Sequence, residues 1–245
     1  MSEAMTILWR EWVFFRHRFF KITTAQIVTP ILYLIAFGWG VGENLQMDGN
    51  QYMSYILPGV VSLTSMRSAF GAISMRVSVT RLHERSFESY LAAPIKIHWL
   101  AIGHILAGAL RGLYSSVLIL LVGIPFGVIY PVDLPFIIVC FVNGFMFAAL
   151  GFFAAMMIDT HYDMNRFTSF VITPMAFLCG TFFSLKKLPW VMRQIIELLP
   201  LTHSTRLLRA IVLGGRIEMF SFLVMLAYAT IFTLLSIRAC YEEVV

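Results

Sequence analysis

Long apolar runs recur along the whole sequence. Each of six runs approaches the roughly 20 residues that a helix needs to cross a bilayer core of about 30 Å. They cover residues 22–41, 52–79, 99–122, 134–158, 167–185 and 220–237. Of the 245 residues, 59% are hydrophobic and only 13% are charged, which is too few charges to cover the outside of a soluble protein. The sequence therefore predicts an all-α polytopic membrane protein, a single transmembrane domain over 1–245 with six transmembrane helices.

The N-terminal residues, 2–21, predict an amphipathic helix. Its apolar residues recur at spacings of three and four, at Met5, Leu8, Trp12, Phe15 and Phe19. Arg10, His17 and Lys21 lie on another face. Basic residues on one side and Trp and Phe on the other are typical of a helix that lies in the membrane interface. The alternative is a cytoplasmic extension of the first spanning helix.

The distribution of Lys and Arg predicts the orientation, because these residues are enriched in cytoplasmic loops. Basic residues precede the first span and lie between the second and third spans, whereas the connections 42–51 and 123–133 contain none. We therefore expect both termini in the cytoplasm. Segment 186–219 contains six Lys and Arg residues, and we place it outside as a region long enough to escape the rule.

Segment 186–219 is too apolar for a plain exposed loop. One piece begins at Leu188-Pro189-Trp190, and a second piece, 204–213, ends at Gly214-Gly215. Each piece is too short to cross the bilayer. The segment therefore predicts two short re-entrant helices at the outer leaflet, before the last span.

The connection between the second and third spans, 80–94, is charged but has an apolar side. Glu84 and Glu88 are four residues apart. The apolar side consists of Phe87, Tyr90, Leu91 and Pro94. Aromatic anchors inside a polar rim suit a short helix that meets another protein. A solvated connecting helix explains this composition equally well.

Several motifs in order resemble a known family. The run Glu84-Arg-Ser-Phe-Glu-Ser-Tyr-Leu-Ala-Ala-Pro94, with Gly103 and Gly108-Ala-Leu-Arg111-Gly112 after it, is similar to the hairpin region of ABC-2 type transporter permeases. Tyr52-Met-Ser-Tyr-Ile-Leu-Pro58-Gly59 also resembles that family, as does the C-terminal block. The block comprises Thr173-Pro174, Gly180-Thr-Phe-Phe-Ser184, Leu188-Pro189 and Leu199-Pro200 through Leu213-Gly214. Within that family, the sequence resembles the permeases of nodulation-factor and daunorubicin exporters, and those of polysaccharide exporters to a lesser degree.

The resemblance implies a permease subunit of an ATP-binding cassette exporter in the bacterial inner membrane, with no catalytic residue of its own. It implies two permease copies, a homodimer, each docked on one of two ATPase subunits. The docking residues would be Glu84, Arg85, Phe87, Glu88, Tyr90 and Leu91 on the 81–93 coupling helix. The sequence has no Gly-x-x-x-x-Gly-Lys-Ser/Thr loop to bind phosphates, so ATP and Mg²⁺ would be held by the ATPase and no cofactor by this chain. The implied substrate is amphipathic or lipid-linked: a drug, a lipid or a glycan.

Two arginines fall near the middle of predicted spans. Arg67 and Arg111 would each cost about 2.5–3.5 kcal/mol at mid-bilayer unless they meet water or a partner. Ser68 shares the face of Arg67, and His104 shares the face of Arg111. We predict that these four residues line a hydrated translocation path and that the arginines contact an anionic or hydroxyl-rich part of the substrate. Alternatively, the arginines bind backbone carbonyls or lipid phosphates, and the small residues around them serve helix packing.

Other polar groups give weaker indications of chemistry. Asp159, His161 and Asp163 alternate at the end of the fourth span, where a polar helix cap explains them better than a metal site.

An intramembrane enzyme acting on lipid-linked substrates is the alternative function, but it would need a catalytic cluster that the motifs do not supply. A stand-alone channel would leave the hairpin and segment 186–219 without a purpose. We expect no metal and no nucleic acid as partners, despite the net charge of +5; membrane lipids are expected partners.

Overall fold

The computed structural model describes residues 2–41, 46, 47, 50–82, 96–128, 130, 132–185 and 188–242. Almost all of them are helical. The helices are α1 Ser2–His17, α2 Phe19–Tyr33, α3 Tyr52–Leu82, α4 Ile97–Gly123, α5 Leu134–Met157, α6 His161–Phe167, α7 Thr173–Leu178, α8 Trp190–Glu197, α9 Pro200–Val212 and α10 Met219–Glu242. Leu34–Val41 continues α2 as a π-helix, Thr168–Ile172 joins α6 to α7 as another, and Ile124–Phe126 ends α4 as a 3₁₀ turn. Two short strands, β1 Gln46–Met47 and β2 Asn50–Gln51, pair antiparallel before α3.

Within these ranges, five helices are long and apolar enough to cross a membrane. They are Phe19–Phe37, Tyr52–Leu82, Ile97–Phe126, Leu134–Met157 and Met219–Glu242. These five correspond to the first, second, third, fourth and sixth predicted spans. The all-α, polytopic fold is thereby confirmed.

The fifth predicted span, 167–185, has different boundaries in the structure. Its helical part begins at His161 and ends at Leu178, with the π-helical turns in its middle. Pro174 follows those turns and lacks the N–H that an α-helical bond would need, a common cause of helix irregularity. After Leu178 the chain turns at Gly180, whose φ is +72°. The helix therefore begins six residues before the predicted span and ends seven residues before its predicted end.

Close packing of small residues forms the centre of the bundle. In α3, 78% of the most apolar window is buried, against 11% in α2, so α3 is central and α2 is peripheral. Gly112 of α4 faces Gly144 of α5 so closely that a methyl group on Gly112 would lie 3.0 Å from the Gly144 Cα. Small residues at such positions let transmembrane helices approach and gain van der Waals contact.

The N-terminal helix is separate from the first span. The backbone leaves helical geometry at Arg18, with φ −111° and ψ 14°, so α1 and α2 are not one continuous helix. One side of α1 packs on α4, where a methyl group on Gly103 would lie 3.0 Å from Ile7 Cβ. Met5 and Trp9 are more than 60% exposed. A helix that packs on the bundle and still exposes large apolar side chains agrees with an interfacial helix.

Segment 186–219 contains the two short helices that the sequence predicts. The second, α9, begins at Pro200 rather than at 204, because proline is well suited to the first turn of a helix. Its inner face is buried against α3, where Ser204 and Ser62 share a hydrogen bond of 2.7 Å between their hydroxyls. Arg209 lies 3.6 Å from the ring centre of Tyr55 and donates to the carbonyl of Gly180 at 2.9 Å. The helix α9 is therefore inserted into the bundle and also holds the turn after α7.

Candidate functional site

A groove of about 500 Å³ lies between α2, α3 and α4. Arg67 and Ser68 of α3 line it, and Arg111 of α4 lines it from the opposite wall. Three of the four residues predicted for a translocation path are thus brought together. Helix α2 supplies the remaining wall through residues that include Gln26 and Tyr33.

The groove carries an excess of positive charge. Its basic lining residues are Arg18, Lys21, Arg67 and Arg111, and no carboxylate is among the described residues that line it. Within the described part of the chain, Arg67 has no hydrogen bond or ion pair. The Arg111 guanidinium lies over the ring of Phe15, 5.2 Å from its centre. A cation at membrane depth that has no counter-charge among the described residues, as is the case for Arg67, attracts an anion or water.

Polar side chains continue across the groove. Gln26 Nε2 donates to Ser68 Oγ at 2.7 Å, and Ser68 Oγ donates to the carbonyl of Arg111 at 3.3 Å. Ser115 also lines the groove, and its buried hydroxyl has no hydrogen-bond partner among the described residues. The groove therefore offers both donors and acceptors to a polar ligand.

The fourth predicted path residue, His104, lies elsewhere. It is 1% exposed, its Nδ1 pairs with the carbonyl of Leu100 at 3.0 Å, and its Nε2 lies 3.3 Å from Nη2 of Arg10. Next to it, buried Glu11 pairs with Arg10 at 3.2 Å and with Arg76 at 3.5 Å. His104 therefore belongs to a polar cluster that joins α1 to α3 and α4 and is not among the residues that line the groove.

Sequence reasoning overlooked the contribution of α2 to the groove and of Glu11 to this cluster. Gln26 and Thr29 are polar residues inside an apolar span, at a spacing that places them with Tyr33 on one helical face. Glu11 lies between two tryptophans on a predicted interfacial helix. Both positions could have been recognised from the sequence, because a polar group in apolar surroundings needs a partner.

The predicted ATPase-docking residues lie outside the described ranges, but both ends of their connection are described. These residues are Glu84, Arg85, Phe87, Glu88, Tyr90 and Leu91. Before the connection, Arg81 donates to the carbonyl of Ala155 at 3.2 Å and pairs with Asp159 at 2.8 Å. After it, the Lys96 amide donates to Glu3 Oε2 at 3.0 Å. The connection is thus tied to the end of α5 and to α1.

The alternating Asp159, His161 and Asp163 lie at the N-terminus of α6, where the sequence predicted a polar helix cap. Thr160 is the N-cap of α6 and accepts a hydrogen bond from the Asp163 amide at 3.0 Å. Asp163 also pairs with Arg166 at 3.2 Å. The local hydrogen bonds therefore explain Asp163 as part of a helix cap, whereas Asp159 pairs with Arg81 of α3.

An ion-pair network connects α8, α9 and the start of α10. Arg206 pairs with Glu197 at 3.1 Å and with Glu218 at 3.2 Å, and Arg193 pairs with Glu197 at 3.1 Å. Burial raises the pKa of Glu197, but hydrogen bonds from Arg193 and Arg206 and their positive charges outweigh burial and hold this pKa below its ordinary value.

Acidification is expected to remove the stabilisation that Glu197 provides. Because its pKa is lower in the folded than in the unfolded protein, the contribution is present above the unfolded value of 4.5 and is lost as the pH falls through the folded value. This stabilisation should amount to about 0–1 kcal/mol, since Glu197 and its arginine partners are partly exposed. At pH 7, Glu197→Gln should melt below the wild type, and this gap in melting temperature should close on acidification below about pH 4.5. A gap independent of pH would contradict the network's role.

Comparison with known proteins covers most of the chain. The sequence matches the ABC-2 type transporter family over residues 2–213. It is 27% identical over 208 residues to the inner membrane transport permease YadH of Escherichia coli strain K12. This alignment covers 82% of this chain and 79% of YadH. It is 27% identical over 202 residues to nodulation protein J of Rhizobium meliloti strain 1021, covering 80% of this chain and 77% of that protein.

Proposed function

The chain belongs to the ABC-2 type transporter family, and from this premise we propose that it is the permease subunit of an exporter for an amphipathic or lipid-linked substrate. Family membership makes it the membrane component of an ABC transporter. The observation that carries the finer proposal is the groove between α2, α3 and α4, where Arg67, Ser68 and Arg111 meet. Outward transport and the nature of the substrate are part of the proposal.

We assign ATP hydrolysis to a separate subunit. The sequence has no phosphate-binding Gly-x-x-x-x-Gly-Lys-Ser/Thr loop, and ABC transporters are driven by ATP. The proposed assembly has two permease copies and two ATPases in a bacterial inner membrane, with the permease termini in the cytoplasm. YadH, whose name places it in the inner membrane, supports this location.

The proposed coupling runs through the 81–93 connection. Because Arg81 is bonded to the end of α5 and Lys96 to α1, a displacement of this connection would pull on both helices. Helix α1 is in turn joined to α3 and α4 through Glu11 and its partners. Closure of the ATPases would therefore change the spacing of the helices around the groove.

The groove would receive the polar part of the substrate. An oxyanion in it would meet the guanidinium of Arg67, which has no partner among the described residues, and charge-assisted bonds from arginine to phosphate or carboxylate are among the strongest hydrogen bonds in proteins. Ser115 and Gln26 could bond to hydroxyl groups beside it. An anionic or hydroxyl-rich head group is therefore the substrate part that the groove favours.

Copurification tests the assignment to a two-component transporter. The tagged chain, purified in mild detergent from its native membrane, is expected to bring a stoichiometric ATPase with it. Replacing Glu84, Phe87 and Glu88 together with alanine should abolish this association, because the acidic and aromatic contacts of the coupling helix are removed. The readout is the ATPase-to-permease ratio by quantitative mass spectrometry.

A matched control removes similar side chains elsewhere. Tyr241→Ala with Glu242→Ala changes an aromatic and an acidic residue at the exposed end of α10 and should leave the ATPase bound. If the wild type brings no ATPase, the proposed function is wrong. If the triple variant retains it at the wild-type ratio, docking does not use the 81–93 helix.

A further inference from the structure

A second cavity, of about 520 Å³, lies beside the groove between α1, α3 and α4. Its walls are mainly aromatic and aliphatic and include Leu8, Trp9, Trp12, Phe15, Leu110 and Tyr114. We call it the apolar slot. Trp9 and Trp12 are 67% and 55% exposed, so the slot reaches the surface of the bundle next to α1.

Arg111 stands at the boundary between the apolar slot and the groove. Both cavities are lined by Ala72 and Arg111, so the two spaces are adjacent and share these side chains as a common wall. The guanidinium of Arg111 rests on Phe15, which lines the slot but not the groove. Glu11 also lines the slot, but its carboxylate is committed to Arg10 and Arg76. A ligand that crosses the boundary would therefore meet the cations of the groove on one side and, on the other, a mainly apolar wall that includes Glu11.

We infer that the groove and the apolar slot together form one binding site for an anionic amphiphile, with its oxyanion between Arg67 and Arg111 and its hydrocarbon tail in the slot under α1. This inference rests on the proposed function and specifies its substrate class. A free anion would leave the slot empty, and a neutral lipid would leave Arg67 without a counter-charge. Only a molecule with both parts uses both cavities.

The position of α1 indicates how such a ligand enters. Because α1 is amphipathic and forms the outer wall of the slot, the tail would reach the slot from the leaflet in which α1 lies. The head group would then pass Arg18 and Lys21 at the start of α2, which line the same groove as Arg67. These basic residues would draw an anionic head group from the membrane surface into the groove.

The test measures lipid retention by native mass spectrometry. The full-length permease, purified in neutral detergent with or without a bound ATPase, is incubated with a phosphatidic acid and a phosphatidylcholine of the same chains. We expect selective retention of phosphatidic acid, and about tenfold weaker retention in Arg67→Gln and in Arg111→Gln, as expected for the loss of one charge-assisted contact. Ala107→Trp, which places a bulky side chain in the slot, should weaken retention similarly.

Matched controls separate the site from general effects. Val117→Trp adds the same side chain to α4 at a residue that is 46% exposed. This variant should retain phosphatidic acid as the wild type does. Excess inorganic phosphate should not displace the lipid. Equal retention of both lipids, retention unaffected by Ala107→Trp, or displacement by inorganic phosphate would each overturn the inference. These results do not depend on ATPase association, so the inference and the proposed function can fail separately.

Discussion

Arg67→Gln is expected to reduce transport of an anionic amphiphile by about tenfold or more. Arg67 lies in the groove without a hydrogen bond or ion pair in the described part of the chain, so its charge is free to bind a ligand. A hydrogen bond to a charged group contributes about 1.5–3 kcal/mol, and each 1.4 kcal/mol corresponds to about a factor of ten. Arg111→Gln should have a similar effect, although it also removes the contact with Phe15.

The measurement is ATP-dependent movement of fluorescent phosphatidic acid in proteoliposomes that contain the permease and its ATPase. Arg67→Lys, which keeps the charge but not the planar fork of donors, should lie between the wild type and the glutamine variant. Arg238→Gln is the control, because its side chain is 77% exposed and pairs only with Glu242 among the described residues. If both groove arginines could be replaced without loss of transport at normal protein levels, they would not be part of the path.

Gly144→Ala and Gly151→Ala are each expected to destabilise the folded bundle by about 1–3 kcal/mol. A methyl group at Gly144 would lie 2.9 Å from the carbonyl oxygen of Ala109, and one at Gly151 would lie 2.7 Å from that of Phe70. Both obstacles are backbone atoms, which cannot rotate away as a side chain can. Helix α5 would therefore have to move off α4 and α3, with the loss of close packing between them.

Gly71→Ala provides the control for this prediction. Gly71 also lies inside a spanning helix, but no atom would lie within 4 Å of its added methyl group. Since alanine is the better helix former by up to about 1 kcal/mol, this variant should melt at or above the wild-type temperature. The readout is the temperature at which the monodisperse peak is lost in size-exclusion chromatography. Equal melting of all three variants would refute the packing argument.

Family resemblance and fold were predictable because their signals are local. The length of an apolar run decides whether it can cross a bilayer, and five of the six runs are helices of sufficient length. The ABC-2 resemblance, drawn from short motifs, is confirmed by the family match over 2–213. The boundaries of the fifth span were less predictable, since its end depends on the turn at Gly180 and on contacts with α3, such as the bond from the Tyr52 hydroxyl to the Phe182 carbonyl.

The sequence by itself determined which residues share a face of one helix. Helical periodicity placed Arg67 with Ser68 on α3, and both line the groove with Arg111. Whether any of these residues binds substrate stays a prediction. The same periodicity grouped His104 with Arg111, yet His104 contacts Arg10 of α1.

Only the tertiary structure decided which helices meet around each face. It brought Gln26 of α2 to Ser68 and placed the aromatic side of α1 next to Arg111. The physical reason is that periodicity depends on residues within one helix, which are close in sequence, whereas packing depends on shape and charge complementarity between distant segments. A polar face can be predicted from one helix alone, but the cavity it lines exists only when its neighbours are in place.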